Sequence, residues 1–272
     1  MTLYWLYDVP SWLFAAIVIV FFLAFGLAGL VLTRRWVQRI HQVDHSHNDI
    51  VGYFLAALTV FYGITLGLVA VGTWSTFSAV SDKVDGEAQL VASLYRDVGA
   101  YPDPVKSQLR HDLAGYLRNV ITVSWPLQRE GHVPYLSGTY LAAFQDHLMA
   151  FKPTEANETV VQAEVFKQLN NLIETRRGRL NAVNTGLPAP IWALVVIGGL
   201  LSITTTWFFH TRSFRMHLWM TAQMCALLGL IVFMIGILDN PFRGQVSVSS
   251  APLELVYKQL IAAPAKGTRP ST

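Results

Sequence analysis

The chain has 272 residues, 53% of them hydrophobic and 14% charged, with a formal net charge of +3 and a mean hydropathy of +0.39. That is too apolar for a typical soluble domain, and too weakly basic for a nucleic-acid binder, its Lys and Arg being scattered rather than striped. The single cysteine, Cys225, excludes a disulfide framework within one chain.

The first residues are aromatic, with Tyr4, Trp5, Tyr7 and Trp12 suited to the headgroup level of a bilayer. Residues 1–12 carry no Lys or Arg and no small-residue cleavage site follows. The apolar run Leu13 to Leu32 therefore reads as a retained span rather than a secretory signal. The next turn holds His41, Asp44, His45, His47 and Asp49. His41 and His45 share a face if that segment is helical, but zinc needs three or four ligands and no Cys or Glu reinforces them. No metal and no cofactor is assigned. Asn48 or Asp49 reads as the N-cap of the helix that follows.

Ile50 to Trp74 organises the rest of the chain. It holds no carboxylate, amine or guanidinium, and its length as a helix, about 37 Å, exceeds the ~30 Å hydrocarbon core of a bilayer. Gly52, Ala56, Thr59, Gly63, Gly67 and Ala70 recur every three or four residues and so lie on one helical face. A seam of small residues lets another backbone approach closely in lipid, whether inside one subunit or between copies around an axis. Phe77, Val80, Val84, Ala88, Val91, Leu94 and Val98 carry the helical spacing onward without a proline. The spacing predicts one rod from about Asp49 to Val98, apolar at first and then amphipathic.

Tyr101-Pro-Asp-Pro104 interrupts it. Three further amphipathic helices follow: one through Leu109, Leu113 and Leu117 that stops near Trp125-Pro126, a shorter one from Tyr140 to Phe151, and one from Val161 to Val183. Thr185 to Pro190 leads into a third span, Ile191 to Phe209, and a fourth, Leu218 to Leu238, follows. Asp239-Asn-Pro-Phe-Arg-Gly244 then ends the helix, since Pro241 forbids continuation and Gly244 permits positive φ. A short helix around Leu253 to Ile261 precedes a tail that reads as disordered.

The chain is thus expected to be all-α, an integral membrane protein with four transmembrane helices and a helical soluble domain inserted between the second and third. Its divisions are 1–77 for spans one and two, 78–187 for the extramembrane domain, 188–240 for spans three and four, and 241–272 for a short C-terminal segment. Arg34, Arg35 and Arg39 after the first span, with Arg212 and Arg215 between the third and fourth, place those two turns in the cytoplasm by the positive-inside bias. On that count the protein is a multi-pass protein of the inner membrane with its helical domain outside. No nucleophile elbow, Walker loop or metalloprotease helix is present. The spans contain no Asp or Glu that could relay protons, so an enzyme is not expected.

Several boxes carry a resemblance when taken together: Asn48-Asp49-x-x-Gly52, Tyr62-Gly63-x-x-Leu66-Gly67, Trp74-x-x-Phe77, Glu87-Ala88, Leu94-Tyr95-Arg96-Asp97, Trp125-Pro126, Leu187-Pro188 and Asp239 to Gly244. Over roughly residues 48–260 the chain resembles a bacterial family of four-span membrane proteins of unknown function called bestrophin-like. Bestrophins are pentameric anion channels whose second span lines a narrow apolar neck and whose helical domain is cytosolic. The resemblance therefore implies a homo-oligomer in the lipid bilayer with Ile50 to Trp74 near its axis, passing small ions. It also implies the opposite sidedness to the charge count. Neither the His-rich turn nor an acidic calcium clasp belongs to the shared pattern. Glu87, Arg96 and Asp97 match the family's first soluble box, and Asp239, Asn240, Pro241, Arg243 and Gly244 its last. These residues are read either as a charged ring at the membrane exit or as ion pairs and capped turns that fix where spans two and four leave the bilayer. The competing functional reading is a non-conducting membrane sensor or scaffold.

Overall fold

The computed structural model describes residues 9–40, 46–134 and 136–261. The aromatic positions Tyr4, Trp5 and Tyr7, the cluster His41, Asp44 and His45, and the C-terminal tail lie outside the described residues. Every element among the described residues is helical: α1 Ser11–Ile40, α2 His47–Asp97, α3 Val105–Asn119, α4 Trp125–Arg129, α5 Ser137–Ala150, α6 Ala156–Asn181, α7 Ala189–Thr206, α8 Phe214–Leu238 and α9 Ala251–Val256. Four of them, α1, α2, α7 and α8, are long and apolar enough to cross a membrane. The rod is observed as α2, one helix of 51 residues.

The helix starts two residues earlier than the N-cap reading of Asn48 or Asp49 requires. Asn48 lies within its first turn, and its side-chain amide bonds to the backbone of His210 instead. Trp125-Pro126 does not stop the chain either. Val120–Ser124 form a π-helical turn that leads from α3 directly into α4, where Pro126 occupies the first turn and its missing N–H is not needed.

Two compact units are formed. The first comprises residues 1–76, 186–240 and 244–246, the second residues 77–185, 241–243 and 247–272. In the first, α1 lies along α8, and α7 packs on both. The α1–α8 approach is close enough that a Cβ on Gly229 would stand 3.0 Å from the Cα of Ile19, so glycine is what permits the contact. Phe22, Val195, Ile203, Cys225, Val232 and Ile235 fill the centre of this unit. The hydroxyls of α7 do not reach across to neighbouring helices. Ser202 and Thr205 bond back to Gly198 O at 2.8 Å and Leu201 O at 2.9 Å, which satisfies them inside their own helix.

The second unit has an apolar core of its own. The later part of α2 brings Val84, Val91, Leu94 and Val98 against Leu109, Leu113 and Leu117 of α3, Phe144 and Leu148 of α5, and Leu169 and Leu172 of α6. Each of these is 0–1% exposed, and a fully buried side chain of this size contributes about 1.5–3 kcal/mol. The start of α6 is fixed by a capping box in which Glu155 and Glu158 bond reciprocally to each other's backbone.

Candidate functional site

In the first unit α2 is held by one edge. Tyr62 and Leu66 are buried, and the Tyr62 hydroxyl donates to Val195 O at 2.5 Å. Its ring lies on Gly198 and Gly199 of α7, which have no side chains to block it. Val69 and Ala70 pack beside them. At its start, His47 Nε2 lies 3.0 Å from Phe208 O, while Asn48 Nδ2 donates to His210 O at 2.8 Å and Asn48 Oδ1 accepts from His210 N at 2.9 Å. These bonds fix where α2 begins against the α7–α8 turn.

Much of the rest of this stretch of α2 is exposed. Within its most apolar stretch 11% is buried, against 44% for α8. A Cβ built on Gly52, Gly63 or Gly67 would meet nothing within 4 Å. Ala56, Gly63 and Gly67 are exposed, Gly52, Thr59 and Ala70 half-buried, and the Thr59 hydroxyl bonds to Leu55 O in its own helix at 2.7 Å. The reading of this seam as packing inside one subunit is therefore not met at Gly52, Gly63 or Gly67. Large apolar groups, among them Phe54, Phe61, Ile64 and Leu68, cover the neighbouring arc and are also exposed.

The second unit treats α2 differently. Glu87 has no exposed surface. Arg179 of α6 grips it with two parallel bonds, Nε to Oε2 at 2.6 Å and Nη2 to Oε1 at 3.0 Å. Tyr116 of α3 donates its hydroxyl to Glu87 Oε1. The third arm of Arg179, Nη1, donates to Gln128 Oε1 at 2.6 Å, and Gln128 Nε2 donates in turn to Ser124 O at 3.0 Å, within the π-helical turn. Arg179 also lies over the Trp125 ring, 5.7 Å from its centre. Burial works against the Arg179 charge, but the Glu87 carboxylate and its hydrogen bonds more than offset it, so the guanidinium is held above its ordinary pKa. Burial, then the Glu87 charge, push the Tyr116 phenol well above its usual value.

This geometry corrects the reading of Glu87 as part of an exposed charged ring, since the pair is sealed inside the unit. Nor are Glu87, Arg96 and Asp97 brought together. Arg96 lies exposed against Ala92 O at 3.3 Å and Ser93 Oγ at 3.4 Å of its own helix, and Asp97 Oδ2 accepts from Gln168 Nε2 at 2.7 Å.

The last box is divided between the units. Asp239 and Asn240 belong to the first, where Asp239 Oδ1 accepts from Leu187 N at 2.5 Å and Oδ2 from Trp192 Nε1 at 3.2 Å, while Asn240 Nδ2 donates to Asp239 Oδ2 at 3.3 Å. Asp239 thus anchors the entry to α7. Pro241 and Arg243 belong to the second, where Pro241 O accepts from Val248 N at 2.8 Å and Arg243 Nη2 donates to Glu130 O at 2.8 Å. Gly244 takes φ +83°, a region closed to most residues. Among the described residues no group of three or more His, Cys, Asp or Glu side chains is placed to hold a metal ion.

A family model for the bestrophin-like domain matches residues 20–253. The chain belongs to the bestrophin-like family. The bestrophin-like fold is also seen in solved structures. A point mutant of a bacterial bestrophin homologue from Klebsiella pneumoniae superposes with a TM-score of 0.72 at 13% identity, over 90% of this chain and 98% of the other. A further structure of a Klebsiella pneumoniae homologue, phased on zinc, gives 0.70 at 11% identity, over 91% and 97%. No curated protein matches the sequence. Bestrophin-like membership and four membrane-length helices identify a membrane protein.

Sequence reasoning missed three members of the buried network, Arg179, Gln128 and Tyr116. One signal was available: Glu87 continues the Val80, Val84, Val91 and Leu94 stripe, and Arg179 lies two turns after Leu172 on the face that α6 buries. A charge inside an apolar stripe requires a buried partner of opposite sign.

Proposed function

We propose that this chain is the protomer of a homo-oligomeric membrane channel for small ions, with the small-residue face of α2 turned toward neighbouring copies and the axis. The observation that carries the reading is the bare seam: among the described residues a Cβ on Gly52, Gly63 or Gly67 meets nothing within 4 Å. Lipid does not drive helices together by hydrophobicity, so a seam of this kind is useful where another backbone comes close. Around an axis the same stretch, free of carboxylates, amines and guanidiniums from Ile50 to Trp74, forms an apolar constriction of the kind that gates by dewetting. The likeness to bestrophins supports conduction, and anions are the first species to test.

In this reading residues 1–77 and 188–240 form the membrane part and 78–187 an extramembrane helical part. The arginine-bearing turns face the cytoplasm of the inner membrane and the helical part faces outside. Labelling of a cysteine at exposed Asp146 from outside intact cells supports that sidedness. Labelling only after permeabilisation reverses it.

The direct test is flux from liposomes containing the purified protein. Wild type is expected to pass chloride, and Gly67→Leu to reduce flux at least ten-fold while the protomer folds normally, because a Cβ at this position has open space around it among the described residues. An intact oligomer that passes neither anions nor cations would leave the sensor or scaffold reading in its place.

A further inference from the structure

At one corner of the first unit the end of α1 meets the α7–α8 turn and the start of α8, and the charge there is almost all of one sign. Arg34, Arg35 and Arg39 come from α1, Arg212 and Arg215 from the turn and α8. The Arg34 guanidinium lies over the Phe214 ring, 4.1 Å from its centre, and this contact joins the two elements. Arg34, Val37, His210, Thr211 and Phe214 line one shallow cleft. Arg35 and Arg39 lie on α1, and Arg212 and Arg215 are exposed beside the cleft-lining Thr211 and Phe214 in sequence. Among the described residues none of the five arginines is paired with a carboxylate. Asp49, one residue beyond the Asn48 bonded to His210, is exposed and pairs with none of them.

Guanidiniums with no carboxylate partner among the described residues repel one another, and such a group is normally balanced by an anion. The surroundings indicate which kind. Trp36 is 56% exposed beside the cluster, edge-on to Phe208 at 6.2 Å, and the Trp207 indole bonds to Gly26 O at 3.0 Å. Aromatic rings of this sort settle at the headgroup level. The arginines stand at or next to the ends of membrane-length helices, and a helix of that length reaches the headgroup layer at its ends. The planar fork of arginine suits a phosphodiester, and basic side chains at this level attract anionic lipid by about five-fold each.

We infer that this corner is a binding site for the headgroup of an anionic phospholipid, with Arg34 on its aromatic shelf and Arg212 and Arg215 closing over the phosphate. The inference does not depend on conduction. Its test is the thermal unfolding of the whole detergent-purified protein titrated with phosphatidylglycerol, phosphatidylcholine or glycerol 3-phosphate. Phosphatidylglycerol is expected to raise the unfolding temperature at concentrations where the other two do not. The double variant Arg212→Gln/Arg215→Gln, altered only at exposed positions, is expected to shift the phosphatidylglycerol midpoint upward at least ten-fold. Arg118→Gln, an exposed change in the second unit, should leave it unmoved. Equal response to phosphatidylcholine, or an unshifted midpoint in the double variant, overturns the inference. Equal response to glycerol 3-phosphate overturns the lipid assignment in favour of a soluble phosphate.

Discussion

The two parts of α2 obey different rules within a single helix. From Gly52 to Ala70 the helix makes few contacts, satisfies its threonine hydroxyls internally and leaves Gly52, Gly63 and Gly67 uncovered among the described residues. From Val80 to Val98 nearly every third or fourth side chain is buried, and one of them is a carboxylate held by three hydrogen bonds from two partners, Arg179 and Tyr116. Helical spacing is the same throughout, so spacing alone does not say what a face is for. In the second unit the stripe is completed by the chain itself, whereas in the first it is left open. That difference is what supports the proposal that the uncovered face of α2 meets something outside the protomer.

That contrast can be broken most forcefully at Glu87. Glu87→Ala leaves Arg179 charged and sealed without its carboxylate, and the expected loss is about 3–5 kcal/mol, read as a large fall in the unfolding temperature of the second unit. Glu87→Leu combined with Arg179→Met should recover most of it, because removing both charges removes the desolvation cost along with the attraction. If the single variant is as stable as wild type, the network is not what secures this part of α2.

A smaller effect is expected at Asp239, the corresponding polar anchor of the first unit. Asp239→Ala orphans the Leu187 N–H and the Trp192 indole N–H, an expected cost of about 1.5–3 kcal/mol, seen as a lower unfolding temperature with the second unit unaffected. The mildest change is alkaline pH. Burial pushes the Tyr101 phenol up to about 12, and Tyr116 is raised as well. A phenol whose folded pKa lies above its unfolded value near 10 contributes stability that is complete below pH 10 and is lost as pH rises toward and through 12. The second unit should therefore hold its unfolding temperature up to about pH 10 and lose it above. Tyr101→Phe should flatten part of that decline.

Much of the scaffold was legible in the residues. The four apolar runs, the absence of an alternating pattern, and the proline-free path from Asp49 to Val98 already describe an all-helical membrane protein built on one long rod, because span length and helical period are local properties. Pro126 misled, since a proline marks a stop only when the preceding turn cannot widen, and here Val120–Ser124 do so. Asn48 misled for a related reason, its amide being used on His210, 162 residues away. The Arg179–Glu87 pair spans 92 residues, and nothing in either local sequence states which charge meets which. Whether Gly63 and Gly67 were covered by a neighbouring helix depended on where α7 and α8 packed, which a stripe of small residues does not specify.

The most direct test is cross-linking through cysteines placed at Gly63 and Gly67, read on a denaturing gel of the protein in membranes. Cys225 is the chain's one native cysteine and is buried, so the background is low. If the bare face of α2 meets its counterparts in other copies, each variant forms covalent oligomers on mild oxidation, whereas a cysteine at Cys225 alone does not. A product that stays monomeric at both positions, in protein that is otherwise folded, would mean that this face looks only at lipid and would contradict the account.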